Sequence, residues 1–269
     1  MKIIKGELRL CRFLVPYRIY GEAKETIVCI SGAKQTMAAW RSFITHFVPD
    51  YSVVVFDLPG QGRASFVTGE PAISFDDQQK ILLEVIDKTN RNGKVILAAA
   101  SWGTIISAAV AAKHPDLISK MILGSFGVKP NREVLALIKE GKRLYDEGRA
   151  DEIASLMISG FGQHISECQK RQMINQFGNM TEDEFVSFAN HCEFVEQANH
   201  IEEFVDLSNI GAKTLIISGE YDAILDHKGI QKASTQIPDC EYKLVEGAGH
   251  FLHWERPEIL TTYREFLTA

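Results

Sequence analysis

The chain has 269 residues, of which 45% are hydrophobic and 24% charged, and its formal net charge is -6. This length is sufficient for one α/β domain with or without an insertion. The acidic balance argues against nucleic acid as the main ligand, and no apolar run reaches the roughly 18 residues of a membrane span.

The cysteines and the N-terminus indicate where the protein resides. Five cysteines are scattered along the chain without C-x-x-C spacing, which favours reduced thiols over a disulfide framework or a zinc site. The first residues, Met1 to Arg9, contain no apolar segment followed by a small-residue cleavage site. We therefore expect a cytoplasmic protein.

The first part of the chain predicts a hairpin and two buried strands. Residues 8–20 alternate imperfectly and contain Pro16, as is typical of an edge hairpin. Residues 26–32 and 51–58 are continuously apolar, which favours strands buried on both faces of a sheet. A helix is expected from Trp40 onward.

A second helix is predicted to begin at Ser74. This serine can cap the helix with Asp77 three residues on, and apolar residues then recur at helical spacing from Ile81 to Ile86. The predicted order from residue 26 to this helix is therefore strand, helix, strand and helix.

Residues 94–114 predict a strand, a sharp turn and a helix. The turn, Ala99-Ala100-Ser101-Trp102-Gly103, is a small-x-Ser-x-small variant of the G-x-S-x-G nucleophile elbow. Small residues are needed there because neighbouring Cβ atoms would collide in so tight a turn. A serine at this helix N-terminus can attack a carbonyl, since the free N–H groups favour negative charge. A buried serine at an ordinary strand-to-helix turn is the simpler interpretation of this segment.

Two backbone N–H groups are candidates for an oxyanion hole. One is the N–H of Trp102, which directly follows the serine. The other is the N–H of Ala33, because a strand that leads into a glycine turn is where this architecture places the second donor. Alternatively, Gly32 is an ordinary loop glycine.

The pattern changes after a strand at residues 120–126. Residues 129–206 contain no convincing strand and predict helices broken near Gly148, at Gly160 to Gly162 and at Gly178-Asn179. We therefore expect a core (1–128), a helical cap insertion (129–206) and a second part of the core (207–269). The insertion is rich in methionine and phenylalanine, which form its inner face, line an apolar pocket for an acyl chain, or do both. These residues are Met157, Phe161, Met173, Phe177, Met180, Phe185, Phe188 and Phe194.

The strand pattern resumes in the last part of the chain. Strands are predicted at residues 213–222 and 241–250, each followed by a helix. The whole alternation predicts an α/β fold with a mainly parallel, twisted sheet and helices on both faces.

Asp222 and His250 each follow one of these late strands. Because the carboxyl ends of parallel strands share one edge of a sheet, both side chains can converge with Ser101. In such a triad the imidazole takes the serine proton and the carboxylate orients the imidazole. The sequence therefore predicts Ser101 as nucleophile, His250 as base and Asp222 as the orienting acid.

Other acids and histidines compete for these roles. Asp226 could replace Asp222, but it lies at the start of a predicted helix, where a cap is expected. His253 is a candidate pocket wall or surface group, and His114 lies at a helix end.

Two residues near the second buried strand have structural interpretations. Asp57 precedes Leu-Pro-Gly and is expected to stabilise the turn, whereas Arg63 either contacts an anionic substrate group or is a solvated loop residue. No group of residues has metal-ligand spacing, and no glycine-rich phosphate loop occurs, so neither a metal nor a cofactor is expected.

These motifs together resemble the α/β-hydrolase superfamily along nearly the whole chain. The matching segments are Ser31-Gly32 with Trp40 downstream, residues 56–62, the elbow at Ser101, residues 219–222, residues 247–250 and residues 255–257. The resemblance implies the α/β-hydrolase fold and a serine triad that works without a cofactor. Ser31 stands where many members carry histidine.

Three segments are similar to a narrower family, the hydroxyalkanoyloxyalkanoate synthases of rhamnolipid biosynthesis. They are residues 54–59, 100–103 and 245–252. This likeness implies a transferase that joins two 3-hydroxyacyl units from activated thioesters, with Ser101 as the acyl nucleophile. Thr104 stands where a second glycine is expected.

The expected function is a serine esterase or thioesterase that forms an acyl-enzyme from a small substrate with an apolar acyl group. A hydroxyacyl transferase is the alternative enzyme. A ligand-sensing or partner-binding module on the same fold is an alternative of another class. The sequence leaves the physiological substrate and the oligomeric state open.

Overall fold

The structure, a computed structural model, describes residues 1–90 and 93–269. The strands are β1 (Ile3–Leu10), β2 (Phe13–Tyr20), β3 (Thr26–Ile30), β4 (Ser52–Phe56), β5 (Ser65–Phe66), β6 (Val95–Ala100), β7 (Ile118–Gly124), β8 (Lys213–Gly219) and β9 (Cys240–Val245). The helices are α1 (Arg41–Phe47), α2 (Phe75–Thr89), α3 (Trp102–Lys113), α4 (Arg132–Asp146), α5 (Ile153–Phe161), α6 (Glu167–Gly178), α7 (Glu182–Gln197), α8 (His227–Ser234), α9 (Leu252–Glu255) and α10 (Ile259–Thr268).

The strands form one sheet in the order β1-β2-β4-β3-β6-β7-β8-β9, with β5 beside β2. From β4 to β9 neighbouring strands are parallel, whereas β2 is antiparallel to β1, β4 and β5. The sheet is therefore mainly parallel, as the sequence predicts.

Alternate residues of β3 point into two separate hydrophobic cores. Val28 and Ile30 pack with residues of α2 and α3, whereas Ile27 and Cys29 pack with residues of α1 and α10. Because successive side chains of a strand point to opposite faces, both faces of the sheet are covered by helices. The predicted α/β-hydrolase architecture is confirmed.

The edge hairpin begins earlier than the sequence predicts. Strand β1 starts at Ile3 and pairs along its whole length with β2. Most side chains of β1 are exposed or half-buried, so this edge strand lacks the apolar pattern by which a strand is recognised. The short elements β5 and α9 were not predicted either, because two and four residues carry almost no periodic signal.

The elbow at Ser101 is as tight as its sequence implies. Ser101 adopts φ 49° and ψ −122°, a conformation that is strained for any residue with a side chain. A Cβ atom on Gly103 would lie 2.5 Å from the carbonyl oxygen of Ile30 and 2.8 Å from that of Ser31. Helix α3 therefore reaches the end of β3 only because residue 103 has no side chain.

Between β7 and β8, helices α4 to α7 form what we call the helical segment, residues 132–197. The helix breaks fall where predicted, at Gly148, after Phe161 and after Gly178. Part of the inner face forms a small core of its own, made of Leu144, Ile153, Ala154 and Phe177. The division into core and cap at residues 129 and 206 stays a prediction.

Gly103→Ala should lower the free energy of unfolding by about 1–3 kcal/mol, because the added methyl group meets two fixed carbonyl oxygens. Alanine normally stabilises a helix relative to glycine. Gly141→Ala in α4 is the matched control, since its Cβ would only touch Leu156 at 3.9 Å, and we expect a gain of about 0.5–1 kcal/mol. Urea denaturation measures both, and equal effects would contradict this account of the elbow.

Candidate active site

The structure brings Ser101, His250 and Asp222 together in one hydrogen-bonded row. His250 Nε2 lies 3.0 Å from Ser101 Oγ, and His250 Nδ1 lies 2.7 Å from Asp222 Oδ2. The side chains of Asp222 and His250 are buried. Because a carboxylate only accepts hydrogen bonds, Nδ1 carries the proton and Nε2 is left to accept from the serine hydroxyl.

A close contact between two turns sets Asp222 beside His250. A Cβ atom on Gly219, at the end of β8, would lie 2.2 Å from the carbonyl oxygen of Gly249. The Ile224 N–H donates to Asp222 Oδ1 at 3.3 Å, which orients the carboxylate. The turns after β8 and β9 therefore fix the distance between acid and imidazole.

Two residues that were not predicted to belong to the site hold the loop that carries His250. The Glu255 carboxylate accepts the Gly249 N–H at 2.5 Å and the Phe251 N–H at 2.9 Å. The Ser125 hydroxyl donates to the His250 carbonyl oxygen at 2.8 Å. Glu255 lies in the segment 255–257, which resembles the α/β-hydrolase superfamily. Its side chain turns back toward His250 because Glu255 ends helix α9, which was not predicted.

The loop after β3 passes directly over Ser101. A Cβ atom on Gly32 would lie 3.0 Å from Ser101 Cβ, so this glycine is required by a close approach. Trp40 Nε1 donates to Ser31 Oγ at 2.9 Å, which gives Ser31 a structural role.

Both predicted oxyanion donors lie at the same cavity as Ser101. The Gln61 side chain accepts the N–H of Lys34, and the Gln35 side chain accepts the N–H of Gly32. Between them the Ala33 N–H has no acceptor among residues 1–90 and 93–269. Trp102 is the first residue of α3, so its N–H lacks a partner within the helix. Their role stays a prediction.

The indole of Trp102 is held by one hydrogen bond and several ring contacts. Its Nε1 donates to Gln78 Oε1 at 2.7 Å. The ring contacts Phe75 at 5.9 Å, and Phe194 and His191 of α7 at 5.4 and 4.5 Å between centroids. Helix α7 is therefore seated on the residue that follows Ser101.

Asp226, His253 and His114, the other acids and histidines considered, lie outside the hydrogen-bonded row. Asp226 occupies the N-cap position of α8, as predicted, but its side chain makes no capping hydrogen bond and instead pairs with Lys129 at 3.1 Å. His253 contacts the Ala39 carbonyl oxygen at 3.4 Å, and burial lowers the pKa of its imidazole to about 4. His114 is the residue at which α3 ends.

Asp57 stabilises the loops around it, in agreement with its predicted role. Its carboxylate accepts the backbone N–H of Met37 at 2.7 Å and of Arg63 at 3.0 Å. Burial raises the pKa of the Asp57 carboxyl group, and these hydrogen bonds lower it in part. Arg63 itself is exposed, as a solvated loop residue would be.

A cavity of about 840 Å³ extends from Ser101 and His250 into the helical segment. Its apolar wall contains every methionine and phenylalanine singled out in the sequence except Met180, which packs against the small core instead. Several of these side chains also belong to hydrophobic clusters. They therefore serve both as core and as cavity wall.

The lysines that line the cavity are paired with carboxylates. Among the residues that the structure describes, three lysines and no arginine line it. Each lysine pairs with a carboxylate: Lys34 with Glu184 at 3.5 Å, Lys129 with Asp226 at 3.1 Å and Lys142 with Glu196 at 3.6 Å. Burial lowers the pKa of the Lys34 ammonium, and Glu184 opposes this shift. The interior suits an uncharged ligand.

Two further features concern the chain as far as it is described. The five cysteines are free, and no three His, Cys, Asp or Glu side chains in the described ranges are grouped closely enough to hold a metal ion. None of the helices there has both the length and the apolar content needed to cross a bilayer.

Glu255→Gln should slow the reaction of Ser101 with a fluorophosphonate probe about 100-fold, because the amide replaces one acceptor with a donor and displaces the His250 loop. Glu258→Gln is the matched control, since Glu258 is exposed and pairs only with Arg256. Mass spectrometry of the labelled protein gives both rates. Equal rates would show that Glu255 does not position His250.

Comparison with known proteins identifies the family of the chain. The alpha/beta hydrolase fold family matches residues 25–257. Relatives include the (R)-3-hydroxydecanoyl-ACP:CoA transacylase of Pseudomonas aeruginosa, 24% identical over 89% of this chain and 81% of the relative. Another is the 2-hydroxy-6-oxononadienedioate/2-hydroxy-6-oxononatrienedioate hydrolase of Escherichia coli K12, 27% identical over 88% of this chain and 85% of the relative.

Solved structures show the same fold at low sequence identity. An α/β hydrolase from a deep-sea metagenome library superposes with a TM-score of 0.84, at 18% identity and 98% coverage of both chains. The enol-lactonase of Burkholderia xenovorans LB400 gives a TM-score of 0.81, also at 18% identity, over 98% of this chain and all of that one. The relatives are enzymes, both hydrolases and transacylases. The chain belongs to the α/β-hydrolase fold family.

Proposed function

We propose that the protein is a serine hydrolase that cleaves an ester or thioester with an uncharged, apolar acyl group. The observation that carries this proposal is the row Asp222–His250–Ser101, which opens directly onto the apolar cavity. A nucleophile, a base and its orienting acid thus lie within hydrogen-bond reach beside a space for the acyl group.

The proposed reaction has two steps. His250 Nε2 takes the Ser101 proton as Oγ attacks the acyl carbonyl, and the N–H groups of Ala33 and Trp102 stabilise the resulting oxyanion. The imidazolium, stabilised by Asp222, then protonates the leaving group. Water attacks the acyl-enzyme in the second step, with His250 again as the base.

The paired lysines of the cavity favour an uncharged ester or thioester over a charged substrate like that of the E. coli relative. The name of that relative denotes a dicarboxylate substrate, whose charge would need unpaired cations. Each lysine that lines the cavity in the described ranges already pairs with a carboxylate. An uncharged acyl chain needs no such partner.

The helical segment supports the proposal as a cap. Its four helices enclose the cavity over Ser101, and the Ile201 N–H donates to the Val128 carbonyl oxygen at 2.7 Å, where the chain returns to the sheet. We propose that residues 129–206 form this cap and that residues 1–128 and 207–269 form the core.

A second candidate is transfer of the acyl group to a hydroxyl or thiol acceptor instead of water. Phe161 and Phe251 flank the imidazole of His250 at 5.2 and 5.4 Å. Apolar rings beside the base reduce the access of water to the acyl-enzyme. The P. aeruginosa relative, named a transacylase, is consistent with this outcome.

A product assay separates these candidates. Purified protein is incubated with a medium-chain 3-hydroxyacyl thioester and, separately, with p-nitrophenyl esters, and the products are identified by mass spectrometry. Free acid indicates the hydrolase, whereas a dimeric hydroxyacyl ester indicates the transferase. Ser101→Ala should abolish either product. No product from any substrate, together with tight binding of a small ligand, would instead indicate a binding module.

Asp222→Asn should lower kcat about 10⁴-fold, because an amide no longer holds the imidazole in the required tautomer. Asp226→Asn provides the matched control: it removes a carboxylate that pairs with Lys129 and lies outside the hydrogen-bonded row, and it should retain kcat within a few fold. Steady-state cleavage of a p-nitrophenyl ester measures both. A larger loss in Asp226→Asn would identify Asp226 as the acid.

A further inference from the structure

A polar side chain, His191, lies in the mostly apolar wall that the helical segment gives the cavity. His191 lies on α7 between Phe188 and Phe194, which also line the cavity. Its imidazole packs edge-on against the Trp102 indole, with 4.5 Å between ring centroids and 74° between planes. His191 therefore lies next to the residue whose backbone N–H is the proposed oxyanion donor.

The imidazole of His191 lacks a protein partner. Neither ring nitrogen forms a hydrogen bond or an ion pair within residues 1–90 and 93–269, and burial by itself lowers its pKa to about 4. At pH 7 the ring is therefore neutral and offers one donor and one acceptor. The ring is half-buried in the cavity wall, so a ligand that fills the cavity would remove it from water. A polar group without a partner is then destabilising, and a polar group of the ligand would be favoured here.

The two aromatic rings that contact His191 cannot supply that partner. Phe188 lies 6.4 Å away between centroids and its ring has no polar atom, and the indole N–H of Trp102 already donates to Gln78. Trp102 follows Ser101 in the elbow, and both residues line the cavity together with His191, so an acyl chain attached to Ser101 Oγ shares this cavity with the imidazole.

We propose that His191 is a specificity-determining residue that hydrogen-bonds an uncharged substituent, a hydroxyl or an oxo group, on the acyl chain near the reacting carbonyl. This inference rests on the proposed function, because it requires the acyl chain to occupy the cavity. It narrows the substrate class from apolar acyl groups in general to those with one polar substituent close to the ester or thioester.

The test compares p-nitrophenyl esters of octanoate, 2-hydroxyoctanoate, 3-hydroxyoctanoate and 3-oxooctanoate. The wild-type protein should prefer one substituted ester over octanoate by about tenfold or more in kcat/KM. His191→Phe keeps the ring contact with Trp102 but lacks the nitrogens, so the preference should fall to about one while octanoate is still cleaved. His191→Gln should retain part of the preference.

Phe188→Leu is the matched control, because it changes the same wall without removing a polar group. It should alter all four esters alike and leave their ratio unchanged. The inference would be overturned if the ratio of kcat/KM for a substituted ester to that for octanoate were the same in wild-type and His191→Phe protein, whichever ester is preferred.

A binding measurement separates this inference from the proposed function. Calorimetry measures the binding of methyl octanoate and of the substituted methyl esters to two proteins. One is the Ser101→Ala variant, and the other carries both Ser101→Ala and His191→Phe. If no ester is cleaved, the proposed function fails, while a binding preference that depends on His191 still supports the inference. Binding without such a preference overturns it.

Discussion

The site depends on how closely helix α3 approaches the end of strand β3. Gly103 lies against the carbonyl oxygens of Ile30 and Ser31, and Gly32 lies against the side chain of Ser101. These contacts hold Ser101 in its strained backbone conformation, which persists because the parallel strands on both sides leave the turn no alternative. The hydroxyl is thereby directed out of the sheet toward His250.

A second close contact completes the arrangement from the other side. Gly219 and the carbonyl oxygen of Gly249 bring the turns after β8 and β9 together, and Glu255 holds the backbone on both sides of His250. The side chains of Ser101, Asp222 and His250 thus meet because of backbone contacts, most of which a single methyl group would obstruct. The distances between Asp222, His250 and Ser101 are therefore set by the strands of the sheet and the turns that follow them.

Local pattern predicted the sheet and the elbow because buried parallel strands are continuously apolar and small residues flank Ser101. The order of the late strands also predicted that Asp222 and His250 would meet Ser101, although their catalytic role stays a prediction. Residues whose role arises from distant contacts could not be found this way. Ser125 reaches His250, and His191 reaches Trp102, across more of the chain than any motif spans.

The pairing of Lys34 with Glu184 has a mechanical consequence. Lys34 follows Ala33 in the loop over Ser101, its side chain is buried, and Gln176 of α6 also donates to its carbonyl oxygen. Separating the buried Lys34 from Glu184 would leave an uncompensated charge in the interior, so α6 and α7 resist lifting away from the sheet as a hinged lid. Any displacement of these helices would pull on the loop that passes over Ser101, which couples the opening of the cavity to the arrangement of the backbone around Ser101.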